Sequence, residues 1–236
     1  MRSSLRWTFG LCVAICLIMV AVGLHLWGAA EIRADAGEVF FLTAMGTVWL
    51  ILATMLFSWL GLSLRDDVTE RKNTAALVAL CGAVIAVSLI YAGGSIGEGP
   101  SYWNNIFSAG LGTAGLLVFW ILFEVGARVS MSIAEERDMA SGLRLGGFLL
   151  ANGLMLGRAV AGDWHSEAAT IRDFIHDGWP AAVLFAIALF IERFARPSRH
   201  RPFRAWPGYG LLPALLYLAF AGIWVWHLGP WEGMPK

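Results

Sequence analysis

Charge is scarce in this chain. Of its 236 residues only 14% are Asp, Glu, Lys or Arg, against about 25% in a soluble domain. Acids and bases balance at 17 each, so there is no net basic field for a nucleic acid and none is expected as a partner. Cysteine is nearly absent. Cys12, Cys16 and Cys81 all fall inside apolar runs, so no disulfide framework is implied. Cys12 and Cys16 share a helical face and read as small packing residues. Catalytic signatures are missing too. There is no phosphate-binding glycine loop, no HExxH, no GxSxG and no pair of carboxylates deep in an apolar run. An enzyme reading has no footing, and no cofactor is named by the residues. Histidines are few and unpatterned. His25, His165, His176 and His227 fall on one side of the arrangement derived below, among carboxylates that suit zinc or iron. No HxH or HxxxH spacing specifies a metal site, and interfacial histidine is the default.

What the chain has in excess is apolar length. It is 58% hydrophobic with a mean hydropathy of +0.66. Seven apolar stretches run near 8–29, 39–63, 73–93, 105–127, 139–161, 178–196 and 208–228. Each can cross a hydrocarbon core of about 30 Å as a helix of about 20 residues. The expected fold is an all-α polytopic transmembrane bundle forming a single membrane domain over 1–236. The first stretch follows the short basic segment Met1–Trp7, and Ala29-Ala30 reads as a cleavage site, which raises a signal peptide. Its apolar run, Thr8 to Gly28, exceeds the roughly 7–15 residues of a signal core, so a retained helix is favoured.

Basic residues alternate between sides. The N-terminal tail and every second loop hold Arg2, Arg6, Arg65, Arg71, Lys72, Arg128, Arg137, Arg144, Arg193, Arg196, Arg199, Arg201 and Arg204, which is 13 of 17. The other side holds Arg33, Arg158, Arg172 and Lys236. The positive-inside rule then places the N-terminus in the cytoplasm and the C-terminus outside. Of 12 tryptophans, most cluster at stretch ends as an interfacial belt, while Trp49 and Trp120 lie deeper and are expected to pack in the bundle.

The sequence repeats itself. At a shift of 65, Glu70-Arg71-Lys72-Asn73-Thr74-Ala75-Ala76 falls on Glu135-Glu136-Arg137-Asp138-Met139-Ala140-Ser141. At 66, Gly46-Thr47 meets Gly112-Thr113 and Leu56-Phe57 meets Leu122-Phe123. At 68, Glu124 meets Glu192 and Arg128 meets Arg196. The expected organisation is helix 1 (8–29), repeat 1 (39–93), repeat 2 (105–161) and a degenerate third repeat (178–228). Two helices per unit make the copies parallel.

The stretch Lys72-Asn73-Thr74-Ala75-Ala76-Leu77-Val78-Ala79-Leu80-Cys81-Gly82 resembles the signature of a bacterial inner-membrane family catalogued as domain of unknown function 350. There a charged cytoplasmic turn leads into Asn-x-Ala-x-Ala or Asn-Thr-Ala-Ala and a glycine-bearing apolar run, often in duplicate. The likeness covers roughly 39–196; the second copy departs from it with Asp138-Met139-Ala140-Ser141. The resemblance carries no activity. It implies a neighbourhood of phage-shock-protein-A-like membrane-remodelling proteins and ATP-grasp ligases, hence envelope stress or membrane maintenance.

Polar residues within the stretches are the remaining candidates. Glu124 and Glu192 each precede an arginine by four residues, Arg128 and Arg196, the favourable order for a helical ion pair. They read as structural anchors near the cytoplasmic interface, or as a proton or cation site. Asn152 sits near the middle of its stretch and reads as interhelical glue or as the lining of a path. Arg144 and Arg158 bracket the same stretch and are expected to snorkel to opposite interfaces, with Arg158 near Asp163. Gly153, Gly157 and Ala161, after Gly147 and Ala151, form a small-residue ridge that should make this the most buried helix. Gly110, Gly112 and Gly115 mark another close contact. Residues 165–177 read as an amphipathic helix on the outer surface. Arg193–Arg204 suits anionic lipid headgroups.

Three function classes stay open: a non-enzymatic inner-membrane component acting in an assembly with other membrane proteins or as a homo-oligomer; a small ion channel or transporter; and an accessory subunit of a respiratory or photosynthetic complex.

Overall fold

The computed structural model describes residues 4–196 and 205–231. They form ten α-helices and two π-helical segments, with no strand among the described residues. The helices are α1 (Ser4–Trp27), α2 (Ala30–Ala34), α3 (Ala36–Trp59), α4 (Thr74–Gly94), α5 (Tyr102–Ala127), α6 (Val129–Ala134), α7 (Met139–Ala159), α8 (Glu167–Gly178), α9 (Pro180–Ala195) and α10 (Leu212–Leu228). π-helical turns at Leu64–Glu70 and Pro207–Leu211 lead into α4 and α10. The protein is an all-α polytopic bundle. Six helices are long and apolar enough to span a membrane, and the bent pair α8–α9 brings the number to seven if it is one span.

The helices stand in two rows. α1, α4, α7 and α10 are neighbours in that order, and all four run the same way. Backbone contacts in matched register establish this. At one end a Cβ on Gly142 of α7 would lie 2.5 Å from the Ala75 carbonyl of α4, and near the other a Cβ on Gly157 would lie 2.7 Å from the Leu89 carbonyl. A Cβ on Gly147 would lie 2.5 Å from Ala214 Cβ of α10. Such approaches need small residues, because with lipid outside the association rests on close packing. The ridge seen in the sequence therefore has two sides: Gly153 and Gly157 face α4, and Gly147 faces α10. Ala161 lies past the end of α7. α3, α5 and the α8–α9 pair form the second row and run the opposite way.

The centre of the array is buried. α4 and α7 have 78% of their membrane-length windows inside the protein, against 28% for α1 and 22% for α3 and α10. α7 thus shares with α4 the place expected for it alone. Trp120 is fully buried and packs against Phe57, with ring centroids 5.1 Å apart and planes tilted by 39°. Trp49 donates through Nε1 to Thr113 Oγ1 at 3.1 Å.

Positions 65 residues apart do the same structural work. Lys72 and Arg137 both take positive φ, 52° and 55°. The next residues, Asn73 and Asp138, cap α4 and α7 with their side chains. Beyond the helices, Gly97 and Gly162 both take positive φ, 102° and 137°, where any other residue is strained. The strip around Gly97 pairs with Gly28 on one side and, through the Gly162 N–H to the Ile96 carbonyl at 3.3 Å, with the strip after α7 on the other.

The amphipathic helix expected over 165–177 forms as α8, and it runs on into α9 with a 43° bend. Pro180 opens α9 and has no N–H to continue the α8 ladder, so the axis breaks there. On α8 Phe174 packs over Gly115, while Ile171 and Ile175 stay exposed.

Candidate functional site

The charged centre of the molecule is a pair that the sequence did not bring together. Arg144 lies on the face of α7 turned toward the second row, one turn and a half into the helix. Its Nε donates to Glu192 Oε2 of α9 at 2.5 Å, and its Nη2 donates to Glu192 Oε1 at 3.0 Å and to Ser141 Oγ at 2.8 Å. The remaining Nη1 donates to the Tyr209 carbonyl in the π-helical turn before α10. Ser141 Oγ also donates to Glu192 Oε1 at 3.2 Å, and Asp138 Oδ2 stands 3.9 Å from Nη2. Both side chains of the pair are closed off, at 1% and 0% exposed. The forked guanidinium matches the carboxylate bidentately. Arg144 therefore does not snorkel to an interface. It ties α7, α9 and the approach to α10 into one knot.

Around this knot two polar atoms stand buried without a partner. Tyr217 of α10 adjoins both charges, and its hydroxyl makes no hydrogen bond. Two turns along α7 from Arg144, Asn152 donates through Nδ2 to the Phe148 carbonyl of its own helix at 2.9 Å, while its Oδ1 has no partner. Asn152 makes no bond between helices, contrary to the expectation of glue. Along α7 Phe148 stands between Arg144 and Asn152, and it clusters with Phe123 and Phe185, centroids 4.9–6.4 Å apart.

The two expected helical ion pairs do not form. Arg128 ends α5 in the left-handed conformation, φ 47° and ψ 47°, so the face that would carry an i,i+4 pair stops one residue short. Glu124 instead accepts from Ser130 N at 3.0 Å and Ser130 Oγ at 2.6 Å. Arg196 sits at the C-terminal cap of α9 and reaches into the preceding unit, where Nη1 donates to the Ala127 carbonyl at 2.8 Å and Nε to Ser132 Oγ at 3.1 Å. A guanidinium at the C-terminal carbonyls of α5 is favourably placed.

Asn73 works twice. Its Oδ1 accepts from Ala75 N and Ala76 N, and its Nδ2 donates to the Ile133 carbonyl of the next unit at 2.6 Å. Arg158, at the opposite end of α7, pairs with Asp177 at 3.8 Å rather than Asp163, and donates to the Gly229 carbonyl. Asp163 accepts from Glu98 N at 2.8 Å. Of the Arg193–Arg204 loop, residues 197–204 lie outside the described residues.

Where α1 packs on α4, the Cys12 thiol meets those of Cys16 and Cys81, with Ser88 beside Cys16. Among the described residues no group of three His, Cys, Asp or Glu side chains is placed to hold a metal ion. At the end away from most arginines, an open cavity of about 420 Å³ is walled by Glu31, Asp35 and Glu38, with Tyr102 donating to Glu38 at 2.7 Å.

Of the residues singled out from sequence, Glu192 and Arg144 belong to the buried charged knot, Arg144 in another role than expected. The parts of Ser141, Asp138 and Tyr217 were missed. A signal existed for Arg144: it falls inside an apolar stretch and shares a helical face with Asn152, eight residues on. No family model, curated protein or solved structure matches this chain.

Proposed function

We propose that the chain is a non-enzymatic integral component of a bacterial inner membrane that works within a membrane assembly. In this reading it is built from tandem parallel two-helix repeats, with the N-terminus in the cytoplasm and the C-terminus outside. The repeat register rests on the paired conformations at Lys72 and Arg137 and at Gly97 and Gly162. Sidedness rests on the 13 to 4 division of basic residues. The resemblance of Lys72–Gly82 to domain of unknown function 350 is what favours a role in envelope stress or membrane maintenance.

The observation that carries the assembly reading is the shape of the array. Its inner row is packed backbone to backbone at α4 and α7, where a conducting path would otherwise run. It ends in two open edges, with Ile18 of α1 63% exposed and Ile223 of α10 68% exposed. A photo-crosslinking residue at Ile18 or Ile223 in living cells is expected to capture a protein, either another chain or a second copy. Capture of lipid alone at both edges would overturn the reading.

A second reading, a small channel or transporter, draws on the unpartnered Asn152 and Tyr217 atoms around the Arg144–Glu192 pair, since buried ionisable groups in membranes often serve ion movement. Proton or cation flux into liposomes that Glu192→Gln abolishes would replace the first reading with this one. Haem or pigment in the purified protein's complex would point instead to an accessory subunit.

A further inference from the structure

A groove of about 680 Å³ opens at the arginine-rich end, between α1, α3 and the π-helical turn Leu64–Glu70. Phe9 and Gly10 of α1, Met55 of α3 and Leu64 give it apolar walls, and Arg6, Arg65 and Glu70 stand among its lining residues. A Cβ added to Gly10 would meet nothing within 4 Å. The Arg65–Glu70 contact at 3.2 Å uses Nε, which leaves the two η nitrogens of Arg65 as donors.

The next unit explains why the space exists. In the register of 66, Thr54 corresponds to Trp120, Ser58 to Glu124 and, at 65, Arg65 to Ser130. Where Trp120 is a buried indole on Phe57, the smaller Thr54 lines the open groove. Where Glu124 is satisfied by Ser130, the first unit has a hydroxyl and a guanidinium. Bulk and an acid are removed together, and a cation is added. An apolar-walled space open to the bilayer takes hydrocarbon, and two guanidinium groups favour phosphate.

We propose that this groove binds one anionic phospholipid, its phosphate between Arg6 and Arg65 and an acyl chain along Phe9, Gly10 and Met55. The inference rests on the repeat register and sidedness proposed above, but its test depends on neither. Purified protein in mild detergent is mixed with phosphatidylglycerol or phosphatidylcholine of identical chains, and bound lipid is counted by native mass spectrometry. One phosphatidylglycerol is expected to be retained in preference to phosphatidylcholine. Arg6→Gln and Arg65→Gln should each weaken that retention about fivefold, the effect of one charge near the headgroup plane. Thr54→Trp, which copies Trp120, and Gly10→Trp should displace the lipid while the melting temperature holds or rises. Gly222→Trp in α10, where an added Cβ also meets nothing within 4 Å, should leave retention unchanged. Equal retention of the two lipids by the parent protein, or full retention by both filling variants, overturns the proposal.

Discussion

Arg144 of α7 and Glu192 of α9 meet at 2.5 Å, 48 residues apart, in an interior that excludes solvent from both. Desolvating two charges costs several kcal/mol per ion, and only a bidentate fit with every donor occupied offsets it. Here Ser141 and the Tyr209 carbonyl join Glu192, so that all three guanidinium nitrogens are engaged. Either partner alone is then worse than neither. Arg144→Met and Glu192→Leu should each destabilise by about 3–5 kcal/mol, and the double variant should recover most of the loss. Melting temperatures of the four proteins in one detergent decide the matter; additive losses would count against the pair.

The α4–α7 seam should tolerate no added bulk. A Cβ on Gly93 would collide with the Gly157 carbonyl, and one on Gly157 would stand 2.7 Å from the Leu89 carbonyl. Gly157→Leu is expected to cost about 1–3 kcal/mol or more, because the neighbour is backbone and cannot swing away. Gly222→Leu, with open space around it, should melt like the parent. Unchanged melting for Gly157→Leu would place that ridge against lipid.

Asn73 cannot be replaced by its counterpart in the next unit. Asn73→Asp keeps the cap acceptor but sets a carboxylate oxygen against the Ile133 carbonyl, 2.6 Å from the present nitrogen. Asn73→Ser also keeps the cap and brings no charge. The aspartate variant should therefore melt below the serine variant, by about 1–3 kcal/mol of unsatisfied and repulsive polar contact. The reverse order would show that the cap, not the link to Ile133, is what Asn73 supplies.

Sidedness is testable on a background in which Cys12, Cys16 and Cys81 are alanine. A single cysteine replacing Arg65 should be protected from a membrane-impermeant maleimide added to intact spheroplasts, and one replacing Glu98 should be labelled. Labelling in the opposite pattern would invert the topology derived from the arginines.

The spans were legible because length and hydropathy follow from the bilayer's thickness, and each long helix falls on its apolar stretch. The matched turns at Lys72-Asn73 and Arg137-Asp138 were legible in local residues, since turn and cap chemistry is written in the chain. The ion pairs were misread because Glu124–Arg128 and Glu192–Arg196 were judged on an uninterrupted helix, whereas α5 ends at Ala127 and α9 at Ala195. Arg144 was misread because nothing near it in sequence indicates that the turn Pro207–Leu211 covers it. Those partners are fixed by tertiary packing between units.

The common direction of α1, α4, α7 and α10 orders the protein's assembly in time. Each helix of the inner row packs on one that left the ribosome earlier, so the array lengthens from its N-terminal side as synthesis proceeds, as domains do when they fold in chain order. The charged knot breaks this sequence. A nascent chain halted at Gly178 carries Arg144 with neither Glu192 nor the Tyr209 carbonyl, and its guanidinium should still be reachable from water. The arrival of α9 and the turn before α10 then seals it, so burial of Arg144 marks the completed chain.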